Sequence, residues 1–168
     1  MLATAGPALD RDNVCGYNCA YKAITQPRDF SDALFILSSG TGMGYSVEKK
    51  YISQLPTIPK EVKMDNVPFT VQDSREGWQD AVQFAMEEGF RGKIYDYDVS
   101  LLRPEGAILK TFGGRSSGPE PLRKTLFYIN MLFQEAAGRQ LTSLECHDLM
   151  CVIASCIVSG GVRRSAMI

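Results

Sequence analysis

The sequence predicts an α/β domain built on a mainly parallel sheet. Two segments, residues 19–24 and 94–100, have the side-chain alternation of strands, and two others, 27–37 and 119–137, repeat apolar residues with the helical period. Strand-like and helix-like segments alternate along the chain, an order that is typical of parallel strands joined by helical crossovers. With 168 residues, of which 45% are hydrophobic, the chain is long enough to bury one core.

The first part of the chain contains a predicted strand–helix–strand unit. Residues 1–14 are predicted to be irregular, because a Gly-Pro pair interrupts them. After the strand at 19–24, Pro27 is suited to the first turn of a helix. We predict that this helix ends in a glycine-rich turn at 40–44 and that a short strand resumes at 45–47.

The middle of the chain is predicted to be irregular and then helical. Residues 48–72 show no clear period and contain three prolines, so we predict irregular connections there. The next helix is predicted to begin at a capping box, in which Asp73 accepts from the first turn and Glu76 reaches back. Gly89 is its predicted end.

The last part is predicted to hold two helices and the start of a strand. Gly138 is the predicted end of the helix that starts at 119. Thr142 and Glu145 form a second capping box, which starts an apolar helix reaching about residue 159. Residues 162–168 have the pattern of a strand that begins and is then cut off.

Charge and hydropathy exclude several kinds of partner. The net charge of −1 and the pI near 5.9 do not suit a surface that binds duplex nucleic acid. No apolar segment reaches membrane-spanning length, and the N-terminus lacks the features of a signal peptide. We therefore expect a cytoplasmic protein with no membrane partner.

The cysteines do not predict disulfides or a metal site. Five cysteines, an odd number, argue against a disulfide framework. Cys146, Cys151 and Cys156 recur every five residues on one predicted helix, and we predict that they are core or near-core fillers. A metal site is not expected, since His147 is the only histidine. We predict that His147 and Asp148 form hydrogen bonds at the helix start.

The loop at residues 111–119, TFGGRSSGP, is the segment best suited to bind a phosphate. Glycine lets backbone N–H groups approach a ligand, Arg115 supplies positive charge, and the following helix N-terminus adds a favourable dipole. The alternative is an ordinary surface loop, because glycine and serine are common in loops. The turn at 40–44 is predicted to flank the same edge of the sheet, where ligands of parallel sheets bind.

Nine segments, taken in order, resemble one known family. They are residues 3–9 (ATAGPAL), 17–21 (YNCAY), 37–47 (LSSGTGMGYSV), 51–56 (YISQLP), 73–78 (DSREGW), 103–107 (RPEGA), 109–122 (LKTFGGRSSGPEPL), 141–151 (LTSLECHDLMC) and 160–166 (GGVRRSA). So many ordered segments make a chance similarity negligible. Through them the chain resembles the adenosylcobalamin-dependent (class II) ribonucleotide reductases.

The resemblance implies the fold of that family, a ten-stranded α/β barrel made of two five-stranded parallel halves. The chain resembles the first half only, so residues 1–168 are expected to form a single partial domain, the N-terminal half of the catalytic barrel. No Asn-Pro-Cys-Gly-Glu motif occurs, and the finger loop with its radical cysteine is therefore expected elsewhere, with the second half-barrel. We expect the chain alone to be inactive, as a fragment, a subunit of a split enzyme or an interrupted segment.

The resemblance also implies roles for particular residues. Cys19 would be the reducing cysteine, oxidised to a disulfide with a partner from the second half, and Asn18 would line the ribose pocket with the turn at Gly42, Met43 and Gly44. The loop at 111–119 resembles the specificity loop, which passes information from a bound effector to the substrate base. Its candidate residues are Thr111, Gly113, Gly114, Arg115, Ser116 and Ser117.

From the residues alone, a lone cysteine such as Cys19 is more often an inert buried side chain than a redox group. Cys15, which is not part of the family pattern, is predicted to be structural. The neighbouring Asn18 is what favours a catalytic role for Cys19, because the pair resembles the family's first barrel strand.

The complete enzyme would reduce ribonucleoside di- or triphosphates to deoxynucleotides, with adenosylcobalamin generating a cysteine thiyl. The implied partners are a ribonucleotide substrate, a deoxynucleotide effector, the remaining half of the reductase on the same or a separate chain, and a thioredoxin-like reductant. The alternative is a non-catalytic nucleotide-binding or regulatory module, which would use the loop at 111–119 and leave Cys19 idle.

Overall fold

The computed structural model of the protein describes residues 6–11, 13–109, 114–157 and 166–168. In these residues helices alternate with short parallel strands, which confirms the predicted α/β class. The elements are α1 (Pro7–Arg11), β1 (Cys19–Ala23), α2 (Arg28–Ser38), β2 (Gly42–Ser46), α3 (Lys49–Ile52), β3 (Lys63–Met64), β4 (Phe69–Thr70), α4 (Arg75–Phe90), β5 (Lys93–Ile94), β6 (Tyr97–Asp98), α5 (Glu120–Glu135) and α6 (Ser143–Cys156).

The longest ladder joins β1 and β2, which run parallel with Cys19 opposite Gly42 and Ala23 opposite Ser46. On the other side of β2, Met167 forms a parallel bridge with Met43, and the Tyr45 amide donates to the carbonyl of Ile168 at 3.0 Å. The predicted C-terminal strand is present in residues 166–168 only as a single bridge at Met167, and its earlier part lies outside the described residues.

The predicted strand at 94–100 is wrong in extent. Its residues form β5, which pairs with β3, and β6, which pairs with β4. Two more residues separate β3 from β4 than separate β5 from β6, and Pro68 in that longer connection has no N–H to donate, so the ladder is interrupted. Within the described residues the named strands form three two-stranded sheets, and the five-stranded half-barrel stays a prediction.

Two segments predicted to be irregular contain regular structure. Residues 48–72 include α3, β3 and β4, and residues 1–14 include α1 and the start of a 3-10 turn at Val14–Gly16. The glycine-rich turn predicted at 40–44 is also shorter, because β2 begins at Gly42. Pairing with β1 holds the backbone of Gly42 and Gly44 in an extended conformation, and this tertiary pairing outweighs the local preference of glycine for turns.

Of the two capping boxes predicted from the sequence, the one at α6 is present and the one at α4 is not. The predicted capping box is confirmed at α6, where Thr142 and Glu145 satisfy each other's amides. At α4 the prediction is wrong, since Ser74 is the N-cap and accepts from the amide of Gly77. Asp73 instead pairs with Arg103, whose Nε lies 2.9 Å from Oδ2.

One hydrophobic core fills the space between the helices and the β1–β2 ladder. Helix α2 packs on α4 and α6, α4 packs on α5, and α5 packs on α6. The predicted apolar face of α5 is confirmed, and its buried residues are Leu122, Thr125, Leu126, Ile129, Leu132 and Phe133. Among the described residues, no helix has both the length and the apolar character needed to cross a bilayer.

Candidate active site on the open face of β1 and β2

The two faces of the β1–β2 ladder differ in what they contact. Side chains alternate along a strand, so Cys19 and Tyr21 project to one face, and Ala20 and Lys22 to the other. Cys19 is exposed and Tyr21 is 66% exposed, whereas Met43, on the opposite face, is buried in the core. Cys19 therefore stands on an open face that none of the long helices covers.

The residue opposite Cys19 leaves space beside the thiol. Gly42 is its partner in the ladder, and a Cβ at Gly42 would lie 3.5 Å from the carbonyl oxygens of Asn18 and Ala166. At Gly44 the nearest atom would be the ring of Tyr21, also at 3.5 Å. These are ordinary contacts, so the fold itself does not require glycine at either position. The missing side chains open the face next to Cys19.

Asn18 immediately precedes β1 and is fixed by its backbone. Its carbonyl accepts from the amide of Gly42 at 2.9 Å, which uses one of its two lone pairs in the ladder. Its side chain is exposed. The structure thus brings Asn18, Cys19, Gly42 and Gly44 together, and within the described residues the side-chain amide of Asn18 makes no hydrogen bond.

Met43 does not share this face. Its side chain is 2% exposed and belongs to the core, and its amide donates to the carbonyl of Ala166. Its own carbonyl accepts from the amide of Ile168. Of the three predicted pocket residues, Gly42 and Gly44 therefore lie on the open face, and Met43 lies in the core.

Thr41 positions the entry to β1 and was missed in the sequence. It is fully buried, and its hydroxyl lies 2.9 Å from the carbonyl oxygens of both Val14 and Tyr17, between which it can donate. This hydroxyl ties the turn before β1 to the start of β2 and so fixes where Cys19 begins its strand. Cys15 lies in that turn and is buried, as expected for a structural cysteine.

An ion cluster anchors the covered face of β1 to α2. The ammonium of Lys22 lies 3.0 Å from Asp29 and 2.6 Å from Asp32. Burial alone would raise the pKa of Asp29, but the amide of Thr25, the Lys22 ammonium and Gln26 outweigh it and lower that pKa. The carboxylate of Asp29 stays charged, and it locks the end of β1 to the first turn of α2.

In the described part of the predicted specificity loop, residues 114–116 pair antiparallel with residues 107–109 in a small hairpin. Ile108 bridges Arg115, and the amide of Ser116 donates to the carbonyl of Ala107 at 2.8 Å. Arg115 is exposed, and its Nη1 donates to the carbonyl of Gly106 at 2.9 Å. Gly114 has a φ of +85°, which favours glycine at that position. Thr111 and Gly113 lie outside the described residues.

A groove of about 490 Å³ lies where this hairpin meets α5 and α6. Two cations and two carboxylates line it, so its charge is balanced. Its polar lining residues are Glu105, Arg115, Ser116, Ser117, Glu120, Lys124, Thr125 and Ser155. None of the lining residues belongs to β1 or β2, and the open face with Cys19 is therefore a separate location.

A second polar cluster was also missed in the sequence. The hydroxyl of Tyr45 lies 2.5 Å from Nδ1 of His147, and the Cys151 thiol lies 3.6 Å from Nε2 of the same ring. The prediction that Cys151 fills the core is wrong, since it is exposed while Cys146 and Cys156 are buried. Among the described residues, His147 does not form the predicted hydrogen bond with Asp148 and instead contacts Tyr45 of β2. No local sequence pattern predicts this contact.

Comparisons with known proteins agree on one family. The family model described as "B12-dependent ribonucleotide reductase, insertion domain" matches residues 43–133, which is more than half of the chain. An adenosylcobalamin-dependent ribonucleoside-triphosphate reductase of Lactobacillus delbrueckii subsp. bulgaricus is 31% identical over 180 residues, covering 86% of this chain and 24% of the relative. A putative enzyme of that name from Mycobacterium phage D29 is 30% identical over 193 residues, covering 89% of this chain and 28% of the relative.

The fold is similar to that of a solved structure. A crystal structure of a B12-dependent (class II) ribonucleotide reductase superposes with a TM-score of 0.75 at 23% identity, covering 97% of this chain and 29% of that one. The chain spans about a quarter of the length of the curated relatives it matches. On the family match and these relatives, the chain belongs to the family of B12-dependent, class II ribonucleotide reductases.

Proposed function

We propose that this chain supplies one redox cysteine, Cys19, and an effector-specificity loop to a reductase that converts ribonucleotides to deoxyribonucleotides. The observation that carries the proposal is the pairing of Cys19 with Gly42 on an open sheet face. An exposed thiol beside a position without a side chain can be reached by a sugar ring. The names of the relatives favour ribonucleoside triphosphates as the substrates of the complete assembly.

The reducing step balances with two thiols. Cys19 and a partner thiol from the remaining half of the reductase lose two electrons and two protons and form a disulfide. The ribose gains a hydrogen at C2′ in place of its hydroxyl, which leaves as water. A thioredoxin-like reductant then returns both sulfurs to thiols, as multiple turnovers require.

Asn18 and the two glycines, Gly42 and Gly44, are proposed to shape the space in which the ribose binds beside Cys19. The exposed amide of Asn18 can hydrogen-bond a ribose hydroxyl next to the thiol, and its carbonyl keeps the strand in register through Gly42. Gly42 and Gly44 exclude side chains from the space that the sugar would occupy.

The cofactor is adenosylcobalamin by relation to the family, and it supplies the oxidising radical when bound. The groove at the hairpin base does not fit it, because a corrin with its axial ligands is larger than 490 Å³ and eight of the ten lining residues are charged or carry a hydroxyl. We therefore assign the cofactor to the part of the reductase outside this chain and derive no step from it here.

The hairpin residues Arg115, Ser116 and Ser117 are proposed to sense the deoxynucleotide effector. The groove they line offers two cations, two carboxylates and several hydroxyls, a mixture suited to a polar ligand with both donor and acceptor groups. Arg115 is exposed and tied to Gly106 through one nitrogen, which leaves the rest of its guanidinium to meet an anion.

The test is the Cys19→Ser variant in the complete reductase, assayed with a dithiol reductant for multiple turnovers. We expect reduction to fall to background, because serine cannot form the disulfide. Cys15→Ser is the matched control, four residues away and buried, and it should retain turnover once folded. Unchanged multiple turnover in Cys19→Ser would overturn the catalytic role and leave the nucleotide-binding module as the better reading.

A further inference from the structure

Three side chains from β2 and α6 form a cluster on the helix side of the sheet, away from the open face. Tyr45, His147 and Cys151 are joined through the two nitrogens of one imidazole, with Nδ1 at the tyrosine hydroxyl and Nε2 at the thiol. The rings of Tyr45 and His147 are nearly parallel, with centroids 6.0 Å apart and planes 22° apart, so the tyrosine meets the imidazole at its Nδ1 edge. The imidazole is thus contacted at both of its nitrogens.

We propose that Cys151 is a nucleophilic thiol that exchanges with low-molecular-weight disulfides, with His147 as its general base and Tyr45 as the residue that positions the imidazole. A nucleophile, a base within reach and a third group that orients the base are the parts that activate a thiol. The proposal is independent of the reductase chemistry assigned to Cys19.

The hydrogen bonds are consistent with one tautomer. When Nε2 is unprotonated, the thiol of Cys151 donates to Nε2 and Nδ1–H donates to the hydroxyl oxygen of Tyr45. If the ring then takes the thiol proton, both of its N–H groups keep their acceptors. The geometry therefore needs no rearrangement between the two protonation states of His147.

Tyr45 is suited to positioning because it stays neutral. Burial first, and then the neighbouring Cys151 and Asp148, raise the pKa of Tyr45 to about 12. At physiological pH its hydroxyl is protonated, and it can orient the ring without taking the proton of the thiol. His147 is then the base of the cluster.

Solvent exposure distinguishes Cys151 from the other two cysteines of α6. Cys146 and Cys156 are buried at 0% and 1% exposure, and burial raises the pKa of each thiol to about 12. Cys151 is exposed beside the histidine. A small disulfide can reach Cys151 and is excluded from the other two thiols of α6.

The exchange step balances without a further reagent. Sγ of Cys151 attacks one sulfur of the small disulfide while its proton passes to Nε2 of His147. The new sulfur–sulfur bond forms as the old one breaks, and the departing thiolate takes the proton from the imidazolium. Cys151 is oxidised to a mixed disulfide, and half of the reagent is reduced to a thiol.

The experiment is a time course of the full chain with oxidised glutathione, followed by peptide mass mapping of the adducts at Cys151 and Cys19. Both thiols are exposed, but only Cys151 has a hydrogen-bonded histidine among the described residues, so Cys19 serves as an internal control. We expect His147→Gln to slow adduct formation at Cys151 by about tenfold or more, because the general base is lost. Adduct formation at Cys19 should not change.

Two further variants separate chemistry from folding. Added imidazole should restore the rate at Cys151 in His147→Gly, which a misfolded variant would not allow. Tyr45→Phe should slow Cys151 severalfold and leave Cys19 unchanged. An unaltered rate at Cys151 in His147→Gln, or no rescue by imidazole, would overturn the proposal. Neither result bears on the Cys19→Ser test, since the two thiols are scored separately.

Discussion

Gly89 of α4 lies directly against the ring of Phe133 in α5, so close that a Cβ at Gly89 would overlap the ring carbons. Phe133 is fully buried and cannot move aside without disturbing the core. The contact explains why glycine stands in the last turn of a helix, where it lowers helix stability. It fixes how closely α4 and α5 approach.

Gly89→Ala is therefore expected to destabilise the chain by about 1–3 kcal/mol through overpacking, despite the gain of up to ~1 kcal/mol in helix propensity. Urea unfolding of the full chain would measure it. In a Phe133→Leu background the loss should shrink or reverse, since the overlapping ring is gone. A Gly89→Ala variant more stable than the parent would show that the two helices can separate freely.

The pH dependence of stability is predicted from Glu145. Its carboxylate makes two bonds with Arg139, at 2.6 and 2.8 Å, and also accepts from the amide and hydroxyl of Thr142. The hydrogen bonds from Arg139 in the first place, and those from Thr142, lower the pKa of Glu145 to about 2, although burial opposes them. A carboxyl with a lowered folded pKa stabilises the fold above its unfolded pKa and loses that contribution as the pH falls toward the folded value.

Glu145→Gln should then reduce the free energy of unfolding at pH 7 by about 1–2 kcal/mol, a discounted figure because the pair is partly exposed. The difference from the parent should disappear between about pH 5 and pH 2 in pH-dependent urea melts. Glu120→Gln is the control, since Glu120 pairs with Arg123 on the exposed surface of α5, and it should cost less than about 0.5 kcal/mol. Equal effects of the two variants would contradict the prediction.

The space beside Cys19 can be filled by one methyl group. In Gly42→Ala the new Cβ meets only ordinary contacts, so unfolding should change by less than about 1 kcal/mol. On the proposed function, turnover of the complete reductase should fall at least about tenfold, because the methyl group occupies the place of the sugar. Full turnover with an unchanged unfolding curve would show that the substrate does not approach Gly42.

Arg115→Ala tests the specificity loop. We expect the complete reductase to keep its basal turnover and to lose most of the change in substrate preference that deoxynucleotide effectors cause, because the guanidinium proposed to meet the effector is gone. Competition assays with paired substrates, with and without effector, give the measurement. Arg123→Ala, an exposed arginine at the start of α5, should keep the effector response. A response preserved in Arg115→Ala would remove the loop from the proposal.

Helices were predicted best, because their signals are local. The capping box at Thr142 and the apolar period of α5 each depend on residues within a few turns, and both are confirmed. The predicted end of α4 at Gly89 is within one residue of its observed end at Phe90. The contact of Gly89 with Phe133 could not be predicted, since a glycine needed for interhelical contact looks the same in sequence as a C-terminal one. At α4, Asp73 and Ser74 are both good caps, and the choice depends on Arg103, thirty residues away.

The candidate site was harder to predict from the sequence than the helices were. The composition around Cys19 favoured an inert cysteine, and only the resemblance to a family pointed to the redox role that we propose. That Gly42 lies opposite Cys19 depends on the register of two strands, and register is set by packing over the whole sheet. The contact between Tyr45 and His147 joins residues 102 positions apart, and no local pattern could have predicted it.

The position of β2 between two parallel neighbours also has a consequence for how the chain is made. The pairing of β2 with β1 closes a short loop, since Cys19 and Gly42 are 23 residues apart in sequence. The pairing of β2 with residues 166–168 closes a much longer one, since Met43 and Met167 are 124 residues apart. Because long loops close more slowly, β1 and β2 can pair while the ribosome is still extending the chain, and residues 166–168 join β2 later. Until then one edge of β2 is open to strand addition by another chain, so the nascent polypeptide passes through a stage that is prone to aggregation.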